Sequence, residues 1–138
     1  KSALSTDVRR EIETVEKESA GFTGMNLVLA INYGARDEIT RAVKKMLEEQ
    51  SRAQKENPSA PAMSSGALPR FFDIPLLPDA DLIIRTGGEK RLSNFLLWQA
   101  AYAEFDFTDT LWPDYTDEDF YRAIADFQKR HRRFGAAN

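Results

Sequence analysis

Short apolar runs alternate with longer amphipathic stretches along this chain. Residues 25–31 and 80–84 are mostly aliphatic, and each run ends at a turn or at a glycine-containing segment. Runs of this length between turn signals predict buried strands. Residues 105–108 predict a further short strand before the Trp-Pro-Asp sequence at 112–114 breaks the pattern.

Four other segments predict helices. Three of them, residues 2–20, 37–47 and 116–134, place apolar side chains at helical spacing and charged side chains elsewhere. The fourth, residues 94–104, is too long and too apolar to be a strand. Asp37, Ser93 and Thr116 stand at N-cap positions, where a short polar side chain can accept backbone hydrogen bonds.

The order strand, helix, long loop, strand, helix favours an α/β fold in which helices flank a largely parallel sheet. The loop spans residues 51–69, where Pro58, Pro61 and Pro69 stand among serines and a glycine, and it is predicted to be flexible. A length of 138 residues predicts a single domain over positions 1–138.

Composition narrows the classes of function. The formal net charge of -3 gives the chain no overall positive potential that would attract nucleic acid, so a nucleic-acid partner is not expected. The absence of cysteine excludes disulfides and thiolate metal sites, which suits a cytoplasmic protein. No apolar run approaches the roughly 18 residues that a membrane span needs. Any membrane contact is therefore expected to be peripheral.

The segment 85–93 links the second strand to the helix predicted at 94–104, and it contains two arginines, two glycines and a serine. Glycines let backbone amides approach phosphate oxygens, and helix N-termini favour anions. Arg85 and Arg91 add guanidinium groups, which are always charged and can donate two parallel hydrogen bonds to a phosphate. Ligands of open α/β sheets bind at the carboxyl ends of strands. The segment therefore predicts a diphosphate-binding site.

Simpler interpretations of this segment stay open. Arg85 and Arg91 can be surface cations that pair with Glu89 or Asp81. Ser93 can act as a helix cap alone, although that role is compatible with a hydrogen bond to a phosphate oxygen.

Several motifs resemble one enzyme family. Residues 81–89, Asp-Leu-Ile-Ile-Arg-Thr-Gly-Gly-Glu, and residues 91–99, Arg-Leu-Ser-Asn-Phe-Leu-Leu-Trp-Gln, closely resemble the signature of the cis-prenyltransferases. Three other segments resemble further family motifs in the same order and spacing. Residues 32–39 resemble the family's Asn-Tyr-Gly-Gly-Arg box, and residues 102–104 followed by 111–114 resemble its acidic-helix exit. Residues 132–135 resemble its C-terminal Arg-x-Gly motif. The resemblance runs from about residue 10 to residue 135.

The resemblance implies an enzyme that condenses isopentenyl diphosphate with an allylic prenyl diphosphate to make a polyprenyl diphosphate, a lipid carrier for cell-wall synthesis. It implies a homodimer, with membrane contact through the lipid product. The residues implied for isopentenyl diphosphate are Arg85, Arg91, Leu92 and Ser93, supported by Asn32, with Arg133 and Gly135 reaching across the dimer interface.

The resemblance also implies that Glu104 helps to hold Mg²⁺, an ion that prefers carboxylate and phosphate oxygens. Alternatives remain for several of these residues. Glu104 can simply pair with a nearby arginine, and Leu92 can contribute only its backbone N–H. Asn32 can be a turn residue, and Arg133 followed by Gly135 can be an ordinary helix end.

Family members carry an N-terminal Asp-Gly-Asn-Gly-Arg loop with the catalytic aspartate, and nothing in residues 1–31 resembles it. The chain is therefore similar to the C-terminal half of a cis-prenyltransferase, without the family's N-terminal part. We expect no catalytic residue in this chain and no activity from the chain alone. Three hypotheses compete: a catalytic prenyltransferase, a non-catalytic partner subunit of a heteromeric prenyltransferase, and a free-standing phosphate-binding module.

Overall fold

The structure is a computed structural model, and it describes residues 4–75 and 77–133. It divides into two units, Lys1–Tyr33 and Gly34–Asn138, each of which is described by itself. The single-domain expectation stays a prediction. No helix in the described ranges is both long and apolar enough to cross a membrane.

The described part of the first unit, residues 4–33, contains one helix, α1, at Thr6–Ser19. The helix begins at Ser5, whose hydroxyl accepts a hydrogen bond from the Val8 amide, and none of its side chains is buried. The helix predicted over residues 2–20 is therefore confirmed over most of its length.

The strand predicted at 25–31 is wrong. No strand is described within residues 4–33, and the apolar side chains of this run are exposed, Met25 by 90% and Leu29 by 71%. A strand needs a neighbour for its ladder of hydrogen bonds, and hydrophobicity alone does not supply one.

The second unit begins with α2 at Ala35–Glu56, which is followed by a 3₁₀ helix at Ser65–Phe71. These two elements enclose a small apolar core whose members are Ala42, Leu68 and Phe72, with Ile39, Met46 and Phe71 packed against it. The connection between them is residues 57–64, so the loop predicted at 51–69 is helical at both ends. Its flexibility stays a prediction.

Two parallel strands form the sheet, as predicted. Strand β1 is Leu82–Arg85 and strand β2 is Glu104–Phe107. Leu82 pairs with Glu104, and Arg85 pairs with Phe107. Arg85 therefore stands at the carboxyl end of the sheet, where a ligand site was expected.

The segment 94–104 is not a helix, so that prediction and the N-cap role of Ser93 are wrong. Ser93, Asn94 and Leu96 have positive φ angles of 49°, 66° and 45°. A right-handed helix cannot pass through residues in this conformation. The segment folds instead into successive turns, one of which is closed by the Ala100 amide on the Leu96 carbonyl at 2.8 Å.

The last helix, α3, is Asp117–Phe127, and it begins with the predicted cap. The Thr116 hydroxyl accepts from the Asp119 amide, while the Asp119 carboxylate accepts from the Thr116 amide. The helix ends before the basic residues at 129–133, which were expected in its final turns. The predicted apolar stripe also includes Phe134, which lies outside the described residues.

Candidate functional site

The 85–93 loop, which runs from Arg85 to Ser93, is closed by the Arg85 side chain. The Arg85 guanidinium donates to the Ser93 hydroxyl at 3.1 Å, and the same nitrogen also donates to the backbone carbonyl of Arg91. The loop leaves the carboxyl end of β1 and returns to it. Arg85 and Ser93, predicted as parts of one site, are thus in direct contact.

The glycine pair has a different role from the one predicted. Gly87 and Gly88 have φ angles of 85° and 76°, which a glycine adopts at little cost. Their amides donate to the carbonyls of Thr110 and Thr108 at 2.8 and 2.9 Å. These N–H groups are therefore occupied by backbone, and the prediction that they approach phosphate oxygens is wrong. They hold the loop against the segment that follows β2.

A cavity of about 270 Å³ lies beside the loop. Its lining divides into a polar group, Arg85, Arg91 and Ser93, and an apolar group, Ile83, Ile84, Leu92, Phe95 and Phe107. Two guanidinium groups and a hydroxyl favour an anion, while the aliphatic and aromatic side chains favour a hydrocarbon. The cavity suits a small molecule with a phosphate head and an apolar tail.

Arg91 is partly neutralised by a neighbour in the loop. Its side chain is 64% exposed, and its guanidinium forms an ion pair with Glu89, as the simpler interpretation of the sequence proposed. Asp81 pairs with Arg132 and not with Arg85. An ion pair between exposed side chains is weak, so an incoming anion can compete with Glu89 for Arg91.

Glu104 lies away from the loop. It is the first residue of β2 and is paired with Leu82 of β1. Leu82 precedes Arg85 by three residues, so Glu104 lies about 10 Å along the strands from the end of the sheet at which Arg85 stands. One carboxylate oxygen is 3.2 Å from the Arg130 guanidinium, and the two side chains are 31% and 26% exposed. The hydrogen bonds that Arg130 donates to Asp126 and Glu104 raise the pKa of Arg130 above its usual value. The structure thus places Glu104 in an ion pair, the alternative left open by the sequence.

A residue that anchors this loop was missed by the sequence analysis. Asn94 follows Ser93 directly, and its backbone carbonyl and side-chain oxygen accept from the Ala35 and Arg36 amides at 2.8 and 2.9 Å. Asparagine tolerates positive φ better than most residues, which was the one available signal. Its partners are some 58 positions away in sequence, and no local pattern indicates them.

The comparisons with known proteins agree with these motifs. A family model described as "Putative undecaprenyl diphosphate synthase" matches residues 1–135. The chain belongs to this prenyltransferase family. The isoprenyl transferase of Treponema denticola is 49% identical over 136 residues, which are 99% of this chain and 56% of that protein. The isoprenyl transferase of Aquifex aeolicus is 47% identical over 96% of this chain and 53% of its own length.

Solved structures extend the comparison. A probable undecaprenyl diphosphate synthase from Campylobacter jejuni superposes with a TM-score of 0.81 at 41% identity, over 98% of this chain and 59% of that one. Lavandulyl diphosphate synthase from Lavandula x intermedia, solved in complex with dimethylallyl diphosphate, superposes with a TM-score of 0.87 at 31% identity. The match covers 98% of this chain and 57% of that one. This prenyltransferase chain spans about half the length of the relatives that it matches. The predicted α/β fold and family are confirmed.

Three predicted residues remain, and of these Arg133 does not line the cavity. Asn32 is an exposed residue of the first unit with a φ angle of 52°. Arg133 is described and exposed, while Gly135 lies outside the described residues. The roles implied for these three residues by the prenyltransferase family stay predictions.

Proposed function

We propose that this chain provides the isopentenyl diphosphate site of a cis-prenyltransferase that makes polyprenyl diphosphates from isopentenyl and allylic prenyl diphosphates. The observation that carries the proposal is the Arg85–Ser93 hydrogen bond within a cavity that Arg91 also lines. The arginines and the serine would bind the diphosphate, and Leu92 would add its backbone N–H. The family membership supports the reaction class.

The cavity matches the ligand in size and polarity. Its volume of about 270 Å³ lies just under the range of roughly 300–1,000 Å³ that holds drug-sized molecules, so a five-carbon diphosphate is a suitable occupant. Phe95 and Phe107 would contact the isopentenyl group, which carries no charge.

In the proposed reaction the allylic carbon–oxygen bond breaks and releases pyrophosphate. A carbon–carbon bond forms to the double bond of isopentenyl diphosphate, which loses one proton as the new cis double bond forms. Residues of this chain would contribute by holding the acceptor diphosphate, so that its double bond faces the allylic carbon. None of these residues would serve as the catalytic aspartate or form the allylic site.

The proposal includes Mg²⁺ as the ion that accompanies the diphosphates, on the strength of the family resemblance. Mg²⁺ commonly takes one or two carboxylates together with substrate phosphates. Within the described residues no group of three acidic or histidine side chains could hold a metal, and Glu104 pairs with Arg130 away from the loop. The described residues of one chain therefore do not by themselves fit a Mg²⁺ site at the cavity.

The proposal also includes a homodimer in the cytoplasm, with peripheral membrane contact through the lipid product. Arg133 and Gly135 would complete the isopentenyl diphosphate site of the partner subunit, with Asn32 as a supporting residue. Oligomers of identical chains are commonly two-fold symmetric, so each subunit would both give and receive this arginine.

Titration of the chain with isopentenyl diphosphate tests the site. Arg91→Ala should weaken binding about tenfold, which corresponds to the low end of a hydrogen bond to a charged group because Arg91 is well exposed. Arg122→Ala is the matched control, since Arg122 is 73% exposed, pairs with Asp119 at 3.0 Å and does not line the cavity. Equal effects of the two substitutions, or no binding by the unmodified chain, would refute the proposed site.

A mixing experiment tests the dimer and the role of Arg133. Arg91→Ala and Arg133→Ala chains should each bind isopentenyl diphosphate poorly. In a mixed dimer both substitutions would affect one site and leave the other intact. Random exchange makes about half of the dimers mixed, so roughly a quarter of the sites should recover. Absence of recovery after confirmed exchange would show that Arg133 does not act across the interface.

A further inference from the structure

Asn94 connects the 85–93 loop to the first turn of α2. Its backbone carbonyl accepts from the Ala35 amide at 2.8 Å, and its Oδ1 accepts from the Arg36 amide at 2.9 Å. The first amides of a helix have no partner within the helix and need an outside acceptor. The N-cap residue of α2 is Gly34, which has no side chain for this purpose. Asn94 therefore caps a helix from 58 positions away.

The fit between Asn94 and α2 is close. A β-carbon at position 34 would lie 2.7 Å from the Asn94 Nδ2, a distance that real contacts do not allow. The φ angle of Gly34 is -155°, which any residue can adopt, so the constraint on position 34 is the space left by Asn94 and not the backbone conformation. Any larger residue at position 34 would therefore force the Asn94 side-chain amide to shift.

The same contact stabilises the conformation of Ser93. Ser93 and Asn94 both have positive φ angles, an unfavourable arrangement for two consecutive residues with side chains. In this conformation the Ser93 hydroxyl contacts Arg85, and the Asn94 side chain contacts the first turn of α2. Such strained conformations persist where surrounding contacts hold them, and the two hydrogen bonds to α2 are contacts of this kind.

We infer that Asn94 is a positioning residue of the diphosphate site: it anchors the loop on α2 and so holds the Ser93 hydroxyl against Arg85. This inference rests on the proposed function for its ligand. Asn94 does not line the cavity, so its effect on binding would act through Ser93.

Amide hydrogen exchange tests the contact without any ligand. Asn94→Ala and Asn94→Gly should speed exchange of the Arg36 amide, which loses Oδ1, and leave the Ala35 amide protected by the backbone carbonyl at position 94. Asn94→Asp keeps an acceptor and should keep Arg36 protected. Unchanged exchange at Arg36 in both the alanine and glycine variants would refute the anchor.

Titration with isopentenyl diphosphate and with inorganic pyrophosphate tests the positioning role. Asn94→Gly keeps access to positive φ and loses the side-chain hydrogen bond, so affinity should fall about threefold to tenfold, the range of one hydrogen bond. The fall should shrink in a Ser93→Ala background, because the effect acts through the hydroxyl. Asn57→Ala is the matched control: the Asn57 side chain accepts from the Ser59 amide, away from the cavity, and affinity should not change.

Gly34→Ala supplies an independent perturbation that leaves every loop residue intact. It should weaken binding in the unmodified chain and have little further effect in an Asn94→Gly background, where the clash is absent. Additive effects would refute the inference.

The outcomes separate the two claims. If Arg91→Ala weakens binding but the Asn94 and Gly34 variants only lower thermal stability, the positioning role is wrong and the proposed site stands. If pyrophosphate binds in an Asn94-dependent way and isopentenyl diphosphate does not bind, the positioning role stands and the proposed substrate is wrong. If neither ligand binds, both are wrong.

Discussion

The ion pair between Glu104 and Arg130 connects the start of β2 to the chain that follows α3, and a double-mutant cycle can measure its contribution. Besides Glu104, the Arg130 guanidinium donates to the Phe105 carbonyl at 2.8 Å and to Asp126 at 2.6 Å. Glu104→Gln removes a charge and keeps the shape of the side chain. Arg130→Met keeps much of the length and loses every polar contact.

The magnitude follows from burial. Exposed ion pairs contribute about 0.2–1 kcal/mol, and screening by water weakens as side chains become covered. Glu104 and Arg130 are 31% and 26% exposed, so we expect a coupling free energy of about 1–1.5 kcal/mol. Asp126 offers a matched comparison, because it contacts the same arginine at 2.6 Å but is 56% exposed and lies at the end of α3, four residues before Arg130. Its coupling to Arg130 should be about 0.3–0.5 kcal/mol.

Urea unfolding of the single and double variants at 25 °C gives both coupling energies from midpoints at constant slope. A coupling of Glu104 to Arg130 no larger than that of Asp126 would refute the burial argument. The experiment also addresses the metal role predicted for Glu104. If Mg²⁺ with isopentenyl diphosphate abolishes the coupling, and Glu104→Gln removes the Mg²⁺ dependence of binding, the carboxylate serves the ion and not the arginine.

Two further predictions concern α3 and turnover. The pKa of Asp119 lies below its ordinary value of 3.8, chiefly because its carboxylate accepts hydrogen bonds from the Thr116 amide and hydroxyl, with a smaller effect of Arg122. A carboxyl group whose pKa is lowered by folding stabilises the fold above pH 3.8, and this stabilisation is lost as the pH falls through the pKa of the folded state. The unmodified chain should therefore unfold at a higher temperature than Asp119→Asn near neutral pH, and the difference should vanish at low pH. An advantage that persists at lower pH would contradict this assignment. The chain alone should not elongate farnesyl diphosphate with isopentenyl diphosphate and Mg²⁺, and radiolabelled product from this polypeptide would contradict the prediction.

Features specified by neighbouring residues were predictable from sequence. The Thr116–Asp119 capping box lies within four residues, and the helices at 6–19 and 35–56 follow from apolar spacing that repeats every turn. The β1 strand and its parallel partner follow from short apolar runs with an intervening segment long enough for a crossover. The contact of Arg85 with Ser93 spans eight residues and follows from a glycine-containing loop that returns to its strand.

The site needed the tertiary structure wherever its contacts are distant in sequence. Glu104 was predicted as a metal ligand, but it meets an arginine 26 positions away. The segment 94–104 has a helical composition, yet Asn94 accepts from the first amides of α2 and its positive φ angle prevents a helix there. Composition and periodicity thus determined the class of fold, while the resemblance of the motifs indicated the family and the residues gathered in the 85–93 loop. The partners of Glu104, Asn94 and the glycine amides were decided by packing, because a hydrogen bond between distant segments depends on where the whole chain places both ends.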